Sequence, residues 1–164
     1  MHRLLIVLIA VIVSLGAVAE PRPAERPEPI RLLVLGDSLS AAYGMSLEQG
    51  WVALLSEALA EQVQIDNASI SGETSGGGLA RLPLLLQRNR PDWVLLELGA
   101  NDGLRGYPLS RLRDNLSAKI ALVRDAGAEP ILFAMALPAN YGERYTRQFA
   151  ALYPQLAAEQ KTAL

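Results

Sequence analysis

"LLVLGDSLSAAYG", Leu32 to Gly44, is the stretch that decides the fold. A run rich in Leu and Val stops at Gly36, and Asp37 and Ser38 follow at once. A buried strand ending on a glycine and a hydroxyl suits an open α/β sheet, whose ligands bind at the carboxyl ends of its strands. A serine hydroxyl is a weak nucleophile by itself, so the rest of the chain must show what would activate it.

Outward from this stretch the pattern alternates strand and helix. Arg31 to Leu35 reads as a short strand, and Trp51, Leu54, Leu55, Ala58 and Leu59 recur at helical spacing. Val63 to Ala68 is a second strand. After "SGETSGGG" (Ser71 to Gly78), Leu79, Leu82, Leu85 and Leu86 predict a helix, with Pro83 in its first turns or kinking it. "WVLLEL", Trp93 to Leu98, is apolar almost throughout, as a parallel strand covered on both faces should be. Leu109, Leu112, Leu116, Ile120 and Val123 form one helical stripe, ended by Ala126-Gly127. Ile131 to Leu137 predicts a fourth strand, and Tyr145, Phe149, Leu152 and Leu156 a last helix bent at Pro154. Alternation of this kind predicts an α/β sandwich around a parallel sheet.

The 164 residues suffice for one domain. The 51% hydrophobic content is inflated by the first residues. His2 and Arg3 precede an apolar run from Leu4 to Val13, and Ala17-Val18-Ala19 fits a small-x-small cleavage site. Residues 1–19 therefore read as a signal peptide, being short for a membrane span of about 20 residues. Residues 20–29, "EPRPAERPEP", read as a Pro-rich tether, and residues 30–164 as the domain. A periplasmic or secreted protein with no membrane anchor after cleavage is expected.

Losing Arg3 moves the formal charge from −2 to −3, which gives no electrostatic case for nucleic acid. There are no cysteines, so no disulfides support the fold. The single histidine, His2, lies in the leader, which argues against a zinc or transition-metal site. Gly72 to Leu79 lacks the Lys-Ser/Thr of a phosphate loop, and no G-x-G-x-x-G follows the first strand. No cofactor is expected. Ser38 is not in a G-x-S-x-G elbow either.

Three strands end in turns that can meet at one rim: Gly36-Asp37-Ser38, Asn67 to Gly78, and Gly99-Ala100-Asn101-Asp102. Attack of Ser38 on an ester carbonyl creates an oxyanion that needs prepositioned donors. The N–H of Ser38 at the start of a helical turn, the N–H of Gly72, which lacks a Cβ, and the Asn101 amide are suitable. Each has a plain structural reading as well: a cap at Ser38, a turn at Gly72, a loop tie at Asn101. Their joint placement on successive strand ends favours a site.

These residues resemble the SGNH or GDSL-type hydrolases. "GDSLS" is similar to that family's first block, "NASISGETS" to its second and "GAND" to its third. The resemblance implies Ser38 as nucleophile, with Gly72 and Asn101 in the oxyanion hole. "GLARLP" (Gly78 to Pro83) and "LPANYGERY" (Leu137 to Tyr145) resemble the secreted thioesterase/arylesterase/lysophospholipase subgroup. The likeness runs from Ile30 to about Leu156 and implies a flavodoxin-like three-layer α/β/α sandwich. It also implies a small acyl-ester, thioester or lysophospholipid substrate. The Gly103–Tyr107 loop and the end of the fourth strand would border it, with Leu104, Tyr107 and Leu137 as apolar walls.

The family's last block, D-x-x-H, supplies the general base and its orienting aspartate, and it is not found here. The expected C-terminal strand and helix are missing too. Asp37 should point away from Ser38 along an extended segment, while Glu73 and Asp102 read as structural or solvated acids. The chain as given is expected to be a truncated and almost inactive esterase. The alternatives are a catalytically silent acyl-binding module and an inert folded fragment.

Overall fold

The computed structural model describes residues 28–164. The expected signal peptide, residues 1–19, and most of the expected tether, residues 20–29, lie outside the described residues. Strand β1 (Ile30–Gly36) pairs on one side with β2 (Val63–Asn67) and on the other with β3 (Trp93–Glu97). Strand β4 (Glu129–Leu132) adds to β3, giving a parallel sheet of order β2-β1-β3-β4. Ala163 forms an isolated parallel bridge with Ile131, on β4.

The helices follow from this order. The chain steps one way from β1 to β2 and the other way from β2 to β3 and β4. Right-handed crossovers then put helix α1 (Trp51–Ala58) on one face, and α2 (Ser75–Asn89) and α4 (Leu109–Asp125) on the other. Helix α5 (Glu143–Gln160) packs beside α4. Alternate strand residues point to opposite faces. Leu33, Leu35, Val94, Leu96 and Leu132 thus meet Leu82, Leu116, Ile120 and Phe149 in one buried cluster. On the other face Trp51, at the start of α1, stacks on Phe133, their ring centroids 6.0 Å apart.

Three details depart from the sequence reading. Helix α2 starts at Ser75, before Leu79, so the glycines at 76–78 are helical. Thr74 caps it by accepting a bond from the Gly77 N–H at 3.2 Å. A Cβ on Gly78 would lie 2.3 Å from Leu98 Cδ1, so this glycine lets the helix approach the end of β3. Pro83 accordingly lies in mid-helix. Strand β4 stops at Leu132, not Leu137. Ser38 opens a helical turn as expected, the Ala41 N–H donating to the Asp37 carbonyl at 3.0 Å, and Ala42 there has φ +55°. Finally, a short helix α3 (Ala100–Leu104) takes in Gly103 and Leu104, which had read as loop.

Gly99 is the tightest point of this frame. Its φ is +130°, and a Cβ would sit 2.2 Å from the Tyr153 hydroxyl, which donates to the Leu98 carbonyl at 3.1 Å. Gly99→Ala should cost roughly 2–4 kcal/mol from strain and overpacking combined. Gly127→Ala, also at positive φ (+79°) but with open space around it, should cost about 1 kcal/mol. Urea denaturation of both variants checks the contrast, and equal losses would refute it.

Candidate active site

Strands β1, β2 and β3 are adjacent and parallel, so their carboxyl ends open on one rim. β1 delivers Asp37 and Ser38. The loop after β2 delivers Gly72 and Glu73. The turn after β3 delivers Asn101, in the first turn of α3.

The Asn101 amide ties the three together. Its Nδ2 donates to Asp37 Oδ2 at 3.0 Å and to the Glu73 carbonyl at 3.0 Å. It therefore bridges the residue before Ser38 and the residue after Gly72. Among the described residues, neither the Ser38 N–H nor the Gly72 N–H donates a hydrogen bond within the protein. Gly72 has φ +79°, a conformation that would strain any other residue type. The Arg105 guanidinium, at the end of α3, donates to the Gly72 carbonyl at 3.0 Å and fixes the far side of that residue.

Asp37 is buried, 1% exposed, and its carboxylate lies near the Ser38 side chain rather than pointing away from it as expected. Its carboxylate accepts from the Leu39 N–H at 3.0 Å as well as from Asn101. Burial pushes this carboxyl above its usual range, and the Leu39 bond opposes that rise most. Ser40 is held from two sides: its hydroxyl donates to Glu97 Oε2 at 2.7 Å and its carbonyl accepts from Asn67 Nδ2 at 2.8 Å. The Asp37 N–H also donates to Glu97 Oε2, at 3.1 Å.

A second network braces α2 against α3. Asp102 accepts from the Ser75 N–H at 2.7 Å and from the Ser75 hydroxyl at 2.6 Å. Asn115 donates to that hydroxyl at 2.8 Å, and Lys119 Nζ donates to the Ser75 carbonyl at 2.7 Å. Glu73 accepts from Arg81 Nε at 2.8 Å. Glu73 and Asp102 are thus engaged in holding the frame. Burial pulls the Lys119 amine down to about 8, against the raising influence of the Asp102 and Glu73 charges.

The three wall residues are placed differently. Leu104 is exposed at the end of α3, and Tyr107 is half-buried with the Arg111 guanidinium 5.1 Å over its ring. Leu137 lies in the core cluster, tight against α3: a Cβ on Gly103 would be 2.7 Å from its Cδ1. Among the described residues, no three His, Cys, Asp or Glu side chains converge as a metal would require.

Sequence reasoning did not identify Glu97, Ser40 or Arg105 as parts of the rim. Glu97 carried a signal, as the lone charge within "WVLLEL". Arg105 carried none, because its contact joins two loops that only the folded sheet brings together.

A parallel sheet with G-D-S on one strand end and G-A-N-D on the next defines a class of hydrolase fold. The chain belongs to the GDSL-like lipase/acylhydrolase family, whose model matches residues 34–164. It is 52% identical over 137 residues to an arylesterase of Vibrio mimicus, covering 82% of this chain and 68% of that protein. It is also 52% identical over 128 residues to thioesterase 1/protease 1/lysophospholipase L1 of Escherichia coli K12, covering 78% of this chain and 62% of the relative. A crystal structure of TesA superimposes with a TM-score of 0.79 at 50% identity, covering 82% of this chain and 76% of that one. The chain thus spans about two thirds of the length of its curated relatives.

Lys119 supplies a test of the bracing network. The folded protein favours the neutral amine, so the unfolded chain binds more protons between about pH 8 and 10.5. Stability should therefore rise with pH across that window, by up to about 3 kcal/mol. Lys119→Met should abolish the rise. Denaturation midpoints at pH 8 and 10 measure it, and an unchanged slope in the variant would remove Lys119 as its source.

Proposed function

We propose that this chain carries the nucleophile and the oxyanion site of a serine esterase acting on acyl esters or thioesters. One observation supports the reading above the others. The Asn101 amide draws the Ser38 and Gly72 segments together while both of their N–H groups stay free of protein partners among the described residues. Two unspent donors beside a serine at one sheet rim suit a developing oxyanion.

In this reading Ser38 Oγ attacks the carbonyl carbon and loses its proton to a base. The carbonyl oxygen becomes an oxyanion facing the Ser38 and Gly72 N–H groups. To join them, Asn101 must share one of its two hydrogens with the oxyanion. Collapse breaks the bond to the alcohol or thiol, which leaves with a proton, and an acyl-serine remains. Water then attacks that ester, releasing the acid and restoring the Ser38 hydroxyl. Leu104 and Tyr107 border the acyl group, and Leu137 supports them from the core.

The base is the part these residues do not supply. The sequence has one histidine, His2, outside the described residues, and Glu73 and Asp102 are committed to Arg81 and Ser75. That inventory favours a second reading, in which the 164-residue chain binds acyl groups without turning them over. The 164-residue protein should therefore hydrolyse p-nitrophenyl esters barely above background. A version extended by an Asp-x-x-His segment should hydrolyse them rapidly. Losing a triad histidine costs about 10⁶ in rate elsewhere. Fast turnover by the unextended chain, abolished by Ser38→Ala, would show instead that one of its own residues acts as base.

In the extended protein Asn101→Ala should lower kcat by roughly 10²–10³ with a smaller change in KM. A folded variant with unchanged kcat would leave Asn101 as a loop tie alone. Export belongs to the same proposal. Mass analysis of the protein recovered from cells should find Glu20 at or near its N-terminus, and an intact Met1 in a cytosolic pool would contradict it.

A further inference from the structure

Glu97 ends β3 with a carboxyl that is 1% exposed. One of its oxygens, Oε2, accepts both the Asp37 N–H at 3.1 Å and the Ser40 hydroxyl at 2.7 Å. The other, Oε1, is buried with no partner among the described residues. Gly36 makes room for this group: a Cβ there would lie 2.5 Å from Glu97 Oε2 and 2.7 Å from Ser40 Oγ. The glycine that opens G-D-S-L-S is thus required by a carboxyl from the neighbouring strand.

We propose that Glu97 is a positioning residue for Ser38, its carboxyl clamping the Asp37–Ser40 turn from the sheet side so that the Ser38 N–H is held free and aimed at the site. Ser38 lies between the two residues Glu97 holds, Asp37 and Ser40. Asp37 is fixed through its N–H by Glu97 and through its carboxylate by Asn101. Ser40 is fixed through its hydroxyl by Glu97 and through its carbonyl by Asn67. Among the described residues the Ser38 N–H, between these two fixed points, has no acceptor within the protein.

Chemistry favours a neutral carboxyl in this role. A buried carboxylate with one bare oxygen beside the Asp37 carboxylate is costly, whereas the neutral acid can still accept from Asp37 N–H and Ser40. Burial is the main cause that pushes Glu97 up to about 7, with the Asp37 charge adding to it and the Ser40 bond opposing. The titratable groups close enough to matter are Asp37 and, from α5, Tyr153, whose hydroxyl binds the Leu98 carbonyl. Arg31 and Glu129 lie at the far ends of β1 and β4, level with Gln64 and Trp93.

The inference rests on reading Ser38 as the nucleophile, but its test uses no turnover, so the two can fail separately. Amide exchange and ¹⁵N-resolved pH titration of the 164-residue protein would be compared with Glu97→Gln and Glu97→Ala. In the unaltered protein the Asp37 amide should be protected, and the Asp37 and Ser38 amide signals should move with a midpoint near pH 7. Glu97→Gln, which keeps an accepting oxygen, should keep the protection and lose the titration. Glu97→Ala should lose protection at Asp37 by about tenfold or more, beyond any change at Leu96 in the same strand. Should the alanine variant not fold, the wild-type and glutamine titrations decide. A titration that persists in Glu97→Gln, or an Asp37 amide equally protected in a folded Glu97→Ala, would overturn the proposal. Ester turnover lost on Ser38→Ala tests the nucleophile on its own.

Discussion

The Asn101 side-chain amide is the interaction on which the rim depends. It spends one hydrogen on the Asp37 carboxylate and one on the Glu73 carbonyl, and so ties the ends of β1 and β2 to the end of β3. Without it, three loops from three strands would share only the sheet beneath them. The amide can do this because α3 begins immediately after Gly99, whose φ of +130° turns the chain sharply at the strand end. That conformation is enforced by packing: the Tyr153 hydroxyl and Leu112 fill the space a side chain would need. A glycine in the core thus sets the position of an amide at the surface.

Around this tie the site is held by buried ionisable groups. Asp102 and Lys119 converge on Ser75, locking the start of α2 to α3 and α4. Glu97 and Asp37 sit under the Ser38 turn. A buried ionisable group stabilises only when its partners compensate desolvation. The cost is visible in Glu97, raised to about 7, and Lys119, lowered to about 8. Such groups do little for stability by themselves. Their use is to leave each loop a single arrangement, which a site built on loops needs.

The fold was legible because the strands differ in kind from the helices. "WVLLEL" and "LLVLG" are continuous apolar runs, and Leu109 to Val123 is a stripe at helical spacing, so burial alone separates them. The limits of the reading fall where packing overrides propensity. Gly76 to Gly78 look like loop, yet α2 includes them, and the last of them, Gly78, lets the helix approach Leu98. Phe133 to Leu137 look like strand, yet β4 ends at Leu132. Within the rim, Ser38, Gly72 and Asn101 could be picked out by residue type at strand ends. Glu97 showed only as a lone charge in an apolar strand, and Arg105 not at all, since its partner lies 33 residues away in another loop.

The central claim is that Ser38, Gly72 and Asn101 form one oxyanion-binding nucleophilic site. A crystal structure of the protein soaked with an alkylboronic acid tests it most directly, because boron takes up a serine oxygen and mimics the tetrahedral intermediate. The account predicts boron bonded to Ser38 Oγ, with one boronate oxygen about 2.7–3.1 Å from the Ser38 and Gly72 nitrogens and from Asn101 Nδ2. Boron bound elsewhere, or a Ser38 adduct whose oxygens face only solvent, would contradict it.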